Sequence, residues 1–561
     1  MQRISYLKSA VVFLLVAVVV TAQETPPTDR VFIDSVRVDV VNVEVFVVDR
    51  QGRPVYGLER EDFQLLVKGR PMEISNFYAP RPPAEALAKP ETAALEAVKA
   101  SPPPRHIVVF VDHTNLLPAR RRQVVASLRT LIEERLAQGD RVMIAAYDAR
   151  VEILSNFGDD PGVHAAALET IDHTGASTSE THTEFNRILR CMEVSCNEPE
   201  LIWDDVNFYA RQLRHRSRIM LAHLGTVIDS MAGLPGRRSL LIVGDGIAAR
   251  PGESLYAIYQ RRYSGADGGI RYQFEANRYS LNREIEEITD LANARRVTLY
   301  VLNNGGVVGS PLSMSSSAVS TTQIIDTEID FVRDANYSAS MQQFAVNTGG
   351  RIIYNPNDET LDEIRQDFDA AYSLGFAPDH EPDDKARDIK VRVLRDGVKV
   401  RYRDNYTLTT DEGSAAVRTK IAMMLGETTN PLGISAEFDP SAKRAGRRRL
   451  IQVAVRIPIG PLTMVPVGGD RFQGRLEFAF YLEDEDGAST PIQESELPLE
   501  LPGEAVSSKT PIHITYDVGF KVRPGDHRLA LTVTDALGST ASTLSWNVSI
   551  AGDGAVTVTD R

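Results

Sequence analysis

Four oxygen-bearing side chains stand where an open α/β sheet would bind a ligand. Asp112 and Thr114 follow the apolar run Ile107-Val-Val-Phe-Val111, and Asp245 follows Leu240-Leu-Ile-Val243. Thr178 lies between them, in the loop Thr174-Gly-Ala-Ser-Thr178. The carboxyl ends of parallel strands are the edge where such sheets hold ligands. Hard divalent cations such as Mg²⁺ or Mn²⁺ take carboxylate and hydroxyl oxygens and complete their shells with water. Asp112, Thr114, Thr178 and Asp245 are therefore the expected metal ligands. The competing role for Asp112 and Asp245 is to cap the following helices or brace strand-end turns.

Other reactive residue types form weaker patterns. Cys191 and Cys196, the two cysteines of the chain, lie in Arg190-Cys-Met-Glu-Val-Ser-Cys-Asn197. No further soft ligand has metal-site spacing beside them, so a local disulfide is favoured over a metal site. His113, His164, His173 and His182 are scattered through loops and are expected to be solvated or locally hydrogen-bonded. No His-Glu-x-x-His, Gly-x-Ser-x-Gly or Gly-x-x-x-x-Gly-Lys motif is present, so hydrolase activity ranks last and no catalytic residue is assigned. The basic run Lys443 to Arg449 is expected to face solvent in a linker. The Tyr- and Arg-rich stretch Tyr256 to Tyr279 fits either an interaction surface or an ordered insertion.

Positioning these groups requires several elements. Residues 31–80 alternate apolar and polar, as in Val43-Glu-Val-Phe-Val-Val48 and Phe63-Gln-Leu-Leu-Val67, and read as strands. A Pro/Ala-rich linker follows over 81–104. From His106 apolar strands alternate with helices: a helix over Arg120 to Gln138, a strand Arg141 to Tyr147, a helix Ile285 to Ala294, a strand Val297 to Leu302, and a helix Phe331 to Thr348. That alternation implies a parallel, doubly wound sheet over residues 105–370. Two insertions interrupt it, about Asp172 to Arg216 and Pro251 to Ser280, and a Ser-rich loop spans Ser310 to Thr322. Residues 371–409 return to strands, with a hairpin expected between Ile389–Val393 and Val398–Tyr402. Neither 31–80 nor 371–409 is long enough to bury a core alone, so the two are expected to pack as one β-sandwich around the inserted α/β domain. A linker over 410–446, with a short helix Ala415 to Leu425, leads to a C-terminal sandwich of six or seven strands over 447–551.

The order of strands and the positions of these ligands resemble a von Willebrand factor A (VWA) domain and its metal-ion-dependent adhesion site. That site combines an Asp-x-Ser-x-Ser loop, a distant Thr and a later Asp. Here the first loop reads Asp112-His-Thr-Asn-Leu116. Asp112 matches, and Thr114 keeps the first hydroxyl. Leu116 supplies no ligand in place of the second, and Asn115 could substitute only if the loop shifts. Thr178 matches the distant Thr, with Ser177 and Thr181 as close rivals, and Asp245 matches the last position. The flanking segments Val47-Val-Asp-Arg-Gln-Gly-Arg-Pro-Val55, Leu58-Glu-Arg-Glu-Asp-Phe63, Asn347-Thr-Gly-Gly-Arg351 and Tyr372-Ser-Leu-Gly-Phe376 resemble the VWA-related proteins abundant in Acidobacteria. The resemblance, over about residues 31–409, implies a doubly wound VWA domain set in a β-sandwich. The C-terminal sandwich reads as immunoglobulin-like.

The N-terminus reads as a secretory signal peptide over residues 1–22. Arg3 and Lys8 precede the apolar run Ala10 to Val20, and Val20-Thr-Ala22 offers small residues before Gln23. The chain of 561 residues carries a net charge of −14, a balance unsuited to nucleic acid. The expected function is protein–protein interaction or adhesion by an exported protein, periplasmic, cell-surface or secreted, with an unknown protein or extracellular macromolecule as partner. The alternative is a metal-independent structural or assembly scaffold of the cell envelope.

Overall fold

A computed structural model describes residues 40–560, apart from 82–104, 115–117, 149, 174–178, 195, 233, 235, 245, 264–268, 304–321, 409–414, 426–427, 469, 486–489, 491, 507–511 and 539. The expected signal peptide, the Pro/Ala-rich linker and the Ser-rich loop thus lie outside the described residues.

The first strands are β1 (Val41–Val48), β2 (Phe63–Val67), β3 (Arg70–Met72) and β4 (Asn76–Tyr78). Their partners come from far along the chain: β11 (Ala371–Phe376), β12 (Arg387–Val393), β13 (Lys399–Tyr402) and β14 (Asn405–Tyr406). Together they form two four-stranded sheets, ordered β13-β1-β11-β4 and β14-β12-β2-β3. Val43, Val45, Leu65, Tyr372, Leu374, Ile389 and Tyr406 share one core between them. Here a strand pairing departs from expectation. β12 and β13 do not form a hairpin: β12 pairs with β2, from Ile389↔Val67 to Val393↔Phe63, and β13 pairs with β1, from Val45↔Tyr402 to Val48↔Lys399. The turn through Gly397, at φ +78°, carries the chain from one sheet to the other. An arch of this kind lets the alternating apolar sides of both strands face one core, where a hairpin would confine them to one sheet.

Between these halves lies a six-stranded sheet of β5 (His106–Asp112), β6 (Arg141–Asp148), β7 (Arg150–Gly158), β8 (Arg238–Val243), β9 (Val297–Asn303) and β10 (Ile352–Tyr354), in the order β10-β9-β8-β5-β6-β7. All neighbours are parallel except β7, which runs antiparallel to β6. β5 is central, and all seven of its residues are buried. Its side chains alternate between two cores. Val108 and Phe110 join Leu224, Val227, Ile288 and Met341. Ile107, Val109 and Val111 join Val124, Leu128, Ile364 and Phe368. The covering helices are α1 (Pro118–Ala137), α2 (Pro161–His173), α3 (Ser179–Val194), α4 (Pro199–Ser230), α5 (Glu253–Tyr263), α6 (Gly269–Arg278), α7 (Asn282–Ala294), α8 (Thr322–Asn347) and α9 (Asp358–Ala370).

α4 has 32 residues, roughly 48 Å at 1.5 Å per residue. Its C-terminal part, from Met220, and the following Met231 pack on the sheet. Its N-terminal part packs with α3, α5 and α6 in a separate cluster around Ile188, Met192, Ile202, Val206, Leu255 and Tyr256. The two insertions expected from sequence are therefore one helical outcrop. A disulfide joins Cys191 and Cys196 across the α3–α4 turn, with Cα atoms 5.0 Å apart.

The rest of the chain opens with α10 (Ala415–Leu425) and continues in strands β15 (Ser435–Phe438), β16 (Lys443–Ala445), β17 (Arg448–Pro458), β18 (Val465–Gly468), β19 (Arg471–Asp484), β20 (Gln493–Pro502), β21 (His513–Val522), β22 (Gly525–Asp535), β23 (Thr540–Ile550) and β24 (Val556–Asp560). One sheet runs β15-β17-β16 with β21 also on β17; the other runs β18-β19-β22-β23-β24 with β20 on β19. Val453, Val455, Phe478, Phe480, Leu531 and Trp546 fill the space between them. The basic run Lys443 to Arg449 is the β16–β17 hairpin, turning at Gly446 with φ +69°, and is not part of a linker. α10 docks on this unit through Thr419, whose hydroxyl donates to Thr532 Oγ1 at 2.8 Å.

Candidate functional site

Asp112 ends β5, the central strand, and is 2% exposed. The next residues turn back on it: the Thr114 backbone N–H donates to Asp112 Oδ1 at 2.9 Å and the Thr114 hydroxyl donates to the same oxygen at 2.5 Å. This Asx-type turn fixes the carboxylate at the strand end. β8 lies alongside, with Val111 opposite Val243, so the chain leaves both strands side by side. Gly244 packs directly on Asp112: a Cβ there would stand 3.2 Å from Asp112 Cβ. Glycine at this position makes room for the carboxylate across the two strand ends.

The loop after β8 is fixed by α8. The Ser340 hydroxyl donates to the Ile247 carbonyl at 2.6 Å. Asn336 Nδ2 donates to the Arg250 carbonyl at 2.7 Å, and its Oδ1 accepts the Arg250 N–H at 2.7 Å. Gly246, at φ +89°, sits against Met341, where a side chain would collide. The sequence assigns no site role to Gly244, Asn336 or Ser340. The Gly-Asp-Gly step after an apolar strand was the available signal for the first; nothing in the local pattern marks the other two.

On the other side of β5, Tyr147, one residue before the end of β6, lies opposite Asp112. It stacks on Phe110 at 6.1 Å and lies 5.7 Å from the His223 ring. Burial, then the Asp112 and Asp148 carboxylates, push its phenol well above the ordinary range, so it stays protonated. The His113 N–H donates to the Tyr147 carbonyl at 2.9 Å. Its ring Nδ1 lies 3.5 Å from Arg121 Nη1. Burial, followed by Arg121, holds this imidazole below its usual value.

Asp112 and Thr114 offer a carboxylate and a hydroxyl in one loop, a donor pair that suits a hard divalent cation. Thr178, Asp245, Ser177 and Leu116 lie outside the described residues, as does the Thr181 side chain. Among the described residues no three His, Cys, Asp or Glu side chains are grouped to hold a metal. The histidines have separate surroundings. His164 has Nδ1 2.7 Å from the Asp160 carbonyl and Nε2 2.8 Å from the Val142 carbonyl. His173 Nδ1 is 2.9 Å from the Glu169 carbonyl. The His182 side chain lies outside the described residues.

Tyrosines of the stretch Tyr256 to Tyr279 are tied into the helical outcrop. Tyr256 is fully buried and its hydroxyl donates to Asn207 Oδ1 at 2.7 Å. Those of Tyr259 and Tyr263 donate to the Pro199 and Met192 carbonyls. These tyrosines help build the ordered insertion, while Phe274 on α6 is 71% exposed.

No family model and no curated protein matches the chain. Among solved structures, an aerotolerance-related membrane protein from Bacteroides fragilis with multiple mutations to serines aligns at 11% identity and a TM-score of 0.23, covering 47% of this chain and 97% of that one. The conserved hypothetical protein BatB from Bacteroides thetaiotaomicron aligns at 11% identity and a TM-score of 0.23, over 47% and 96%. Three N-terminal domains of a type V pili tip protein from Porphyromonas gingivalis align at 7% identity and a TM-score of 0.24, over 90% and 76%. Likenesses this loose leave the reading of the site to its own residues. No helix among the described residues is long and apolar enough to cross a membrane.

Proposed function

We propose that this chain is an exported, VWA-related binding protein of the kind abundant in Acidobacteria, and that its ligand face is the strand-end crest around Asp112. The observation that carries this reading is the placement of Asp112, braced by Thr114, at the end of the central strand, with Gly244 of the neighbouring strand end packed against it. Asp112, Thr114, Thr178 and Asp245 would hold Mg²⁺ or Mn²⁺ there. The cation would supply positive charge for an acidic group of a protein or extracellular partner, while the helical outcrop and the C-terminal immunoglobulin-like sandwich frame the contact. The proposed division is a β-sandwich of 31–80 and 371–409, a VWA domain of 105–370, and a C-terminal sandwich that extends beyond the expected 447–551 to take in β15, β16 and β24.

A binder of Mn²⁺ in the native state alone is stabilised by it. Saturating Mn²⁺ should raise the unfolding midpoint of the full chain and leave Asp112→Ala and Asp245→Asn unmoved. An equal rise in all three would place the cation elsewhere. A second reading, a metal-independent envelope scaffold, is favoured by one feature: Asp112 Oδ1 already accepts two hydrogen bonds from Thr114, as a strand-end turn does.

A further inference from the structure

β7 is the outer strand of the six-stranded sheet. β6 occupies one side, and among the described residues no backbone group of residues 150–156 bonds to anything on the other. That open side faces a groove of about 570 Å³. Seven consecutive residues, Arg150 to Asn156, form its floor; Val163 of α2 and Arg528 and Asn547 of β22 and β23 form its walls. Two further observations point to an occupant. Ser155 is 4% exposed, lines the groove, and has a hydroxyl without a hydrogen-bond partner. Arg150 is exposed and forms no ion pair among the described residues, whereas Arg528 is paired with Glu483.

An unpaired strand edge presents a row of N–H and C=O groups that match one thing best, another extended backbone. On the far side of the groove stand Arg528 and Asn547 of β22 and β23. A compact ligand would meet only part of a row that seven residues extend over roughly 23 Å. No aromatic side chain lines the groove, so a sugar would find no stacking surface.

We propose that this groove takes one extended peptide segment of a partner protein, added to the sheet as a seventh strand beside β7. Side chains on one face of that segment rest on Leu154 and the half-exposed Val163, and an acidic residue meets Arg150. This site is separate from the crest around Asp112 and needs no metal.

The test uses the full chain and the peptide fluorescein-Gly-Gly-Asp-Val-Thr-Val-Thr-Val-amide, followed by fluorescence anisotropy. Two control peptides carry N-methyl groups on alternate residues, one set for each edge of the strand. The expected result is saturable binding that one N-methylated set loses by roughly tenfold or more while the other keeps it, because only one edge donates to the sheet. Val163→Arg and Asn547→Trp, both at groove walls, should each weaken binding by a similar factor with unchanged circular dichroism, and EDTA should have no effect. Amides of residues 150–156 should exchange more slowly with the peptide bound. Absence of saturable binding up to about 1 mM, equal binding of all three peptides, or indifference to both wall variants would overturn the proposal. Because EDTA separates the two sites, none of these outcomes bears on the reading of Asp112.

Discussion

Asp229 is 2% exposed and holds two cations, Arg295 Nε and Lys420 Nζ, each at 2.9 Å. Arg295 is itself buried, so removing the carboxylate strands a desolvated guanidinium. Breaking one partner of a buried pair costs about 3–5 kcal/mol. Asp229→Ala should lose stability on that scale in urea titrations, and Lys420→Ala, at a partly exposed position, clearly less. Asp404 shows the opposite balance. Burial, then Asp290, push its carboxyl up to about 6. The fold thus favours the protonated form; the associated stability is full below the ordinary carboxyl value and is lost as pH rises through about 6. Asp404→Asn, which resembles the protonated group, should match the wild type near pH 4 and become the more stable protein toward pH 7. Solvent at its exposed side keeps the difference small. At this scale the sequence revealed what sits beside an apolar run. Asp112 and Thr114 were legible because they end one. Asn336 and Ser340 were not, since they bond to backbone 86 and 93 residues away.

Elements buried on both faces were the easiest to read. Ile107–Val111, Leu240–Val243 and Val297–Leu302 are unbroken apolar runs, and each lies within a strand of the inner sheet. β7 passed unread because Arg150, Glu152 and Asn156 dilute its pattern, as suits an edge. The β12–β13 arch was unreadable for another reason: Val400 finds Val47 across more than three hundred residues, and local turn chemistry does not record such a choice. The helical outcrop was visible only as insertions, because its core joins α3 and α4 to α5 and α6, segments separated by a strand of the sheet. The Cys191–Cys196 bond closes a short loop in this outcrop. On the chain-entropy argument it contributes about 2 kcal/mol. Reduction, or Cys191→Ala with Cys196→Ala, should speed amide exchange in α3 and the first half of α4 while leaving β5 and β8 unchanged.

Across the chain, strands far apart in sequence close around the α/β sheet, and α10 joins that region to the C-terminal sheets. Lys420 reaches Asp229 on one side of this helix, and Thr419 reaches Thr532 on the other. Charge supports the same seams: Arg401 Nη2 meets Asp367 Oδ1 at 2.6 Å, and Arg237 meets Glu44 at 3.2 Å. Within this frame Asp112 is braced by Thr114, and α8 holds Ile247 and Arg250 beyond the neighbouring strand end. Bracing of this kind would help the proposed site bind with few ligands.

The measurement that tests this most directly is calorimetric titration of Mg²⁺ and Mn²⁺ into the full chain beside Asp112→Ala. Saturable binding by the wild type, absent from the variant, is the predicted result. Equal heats in both proteins, or none in either, would contradict a metal site at Asp112.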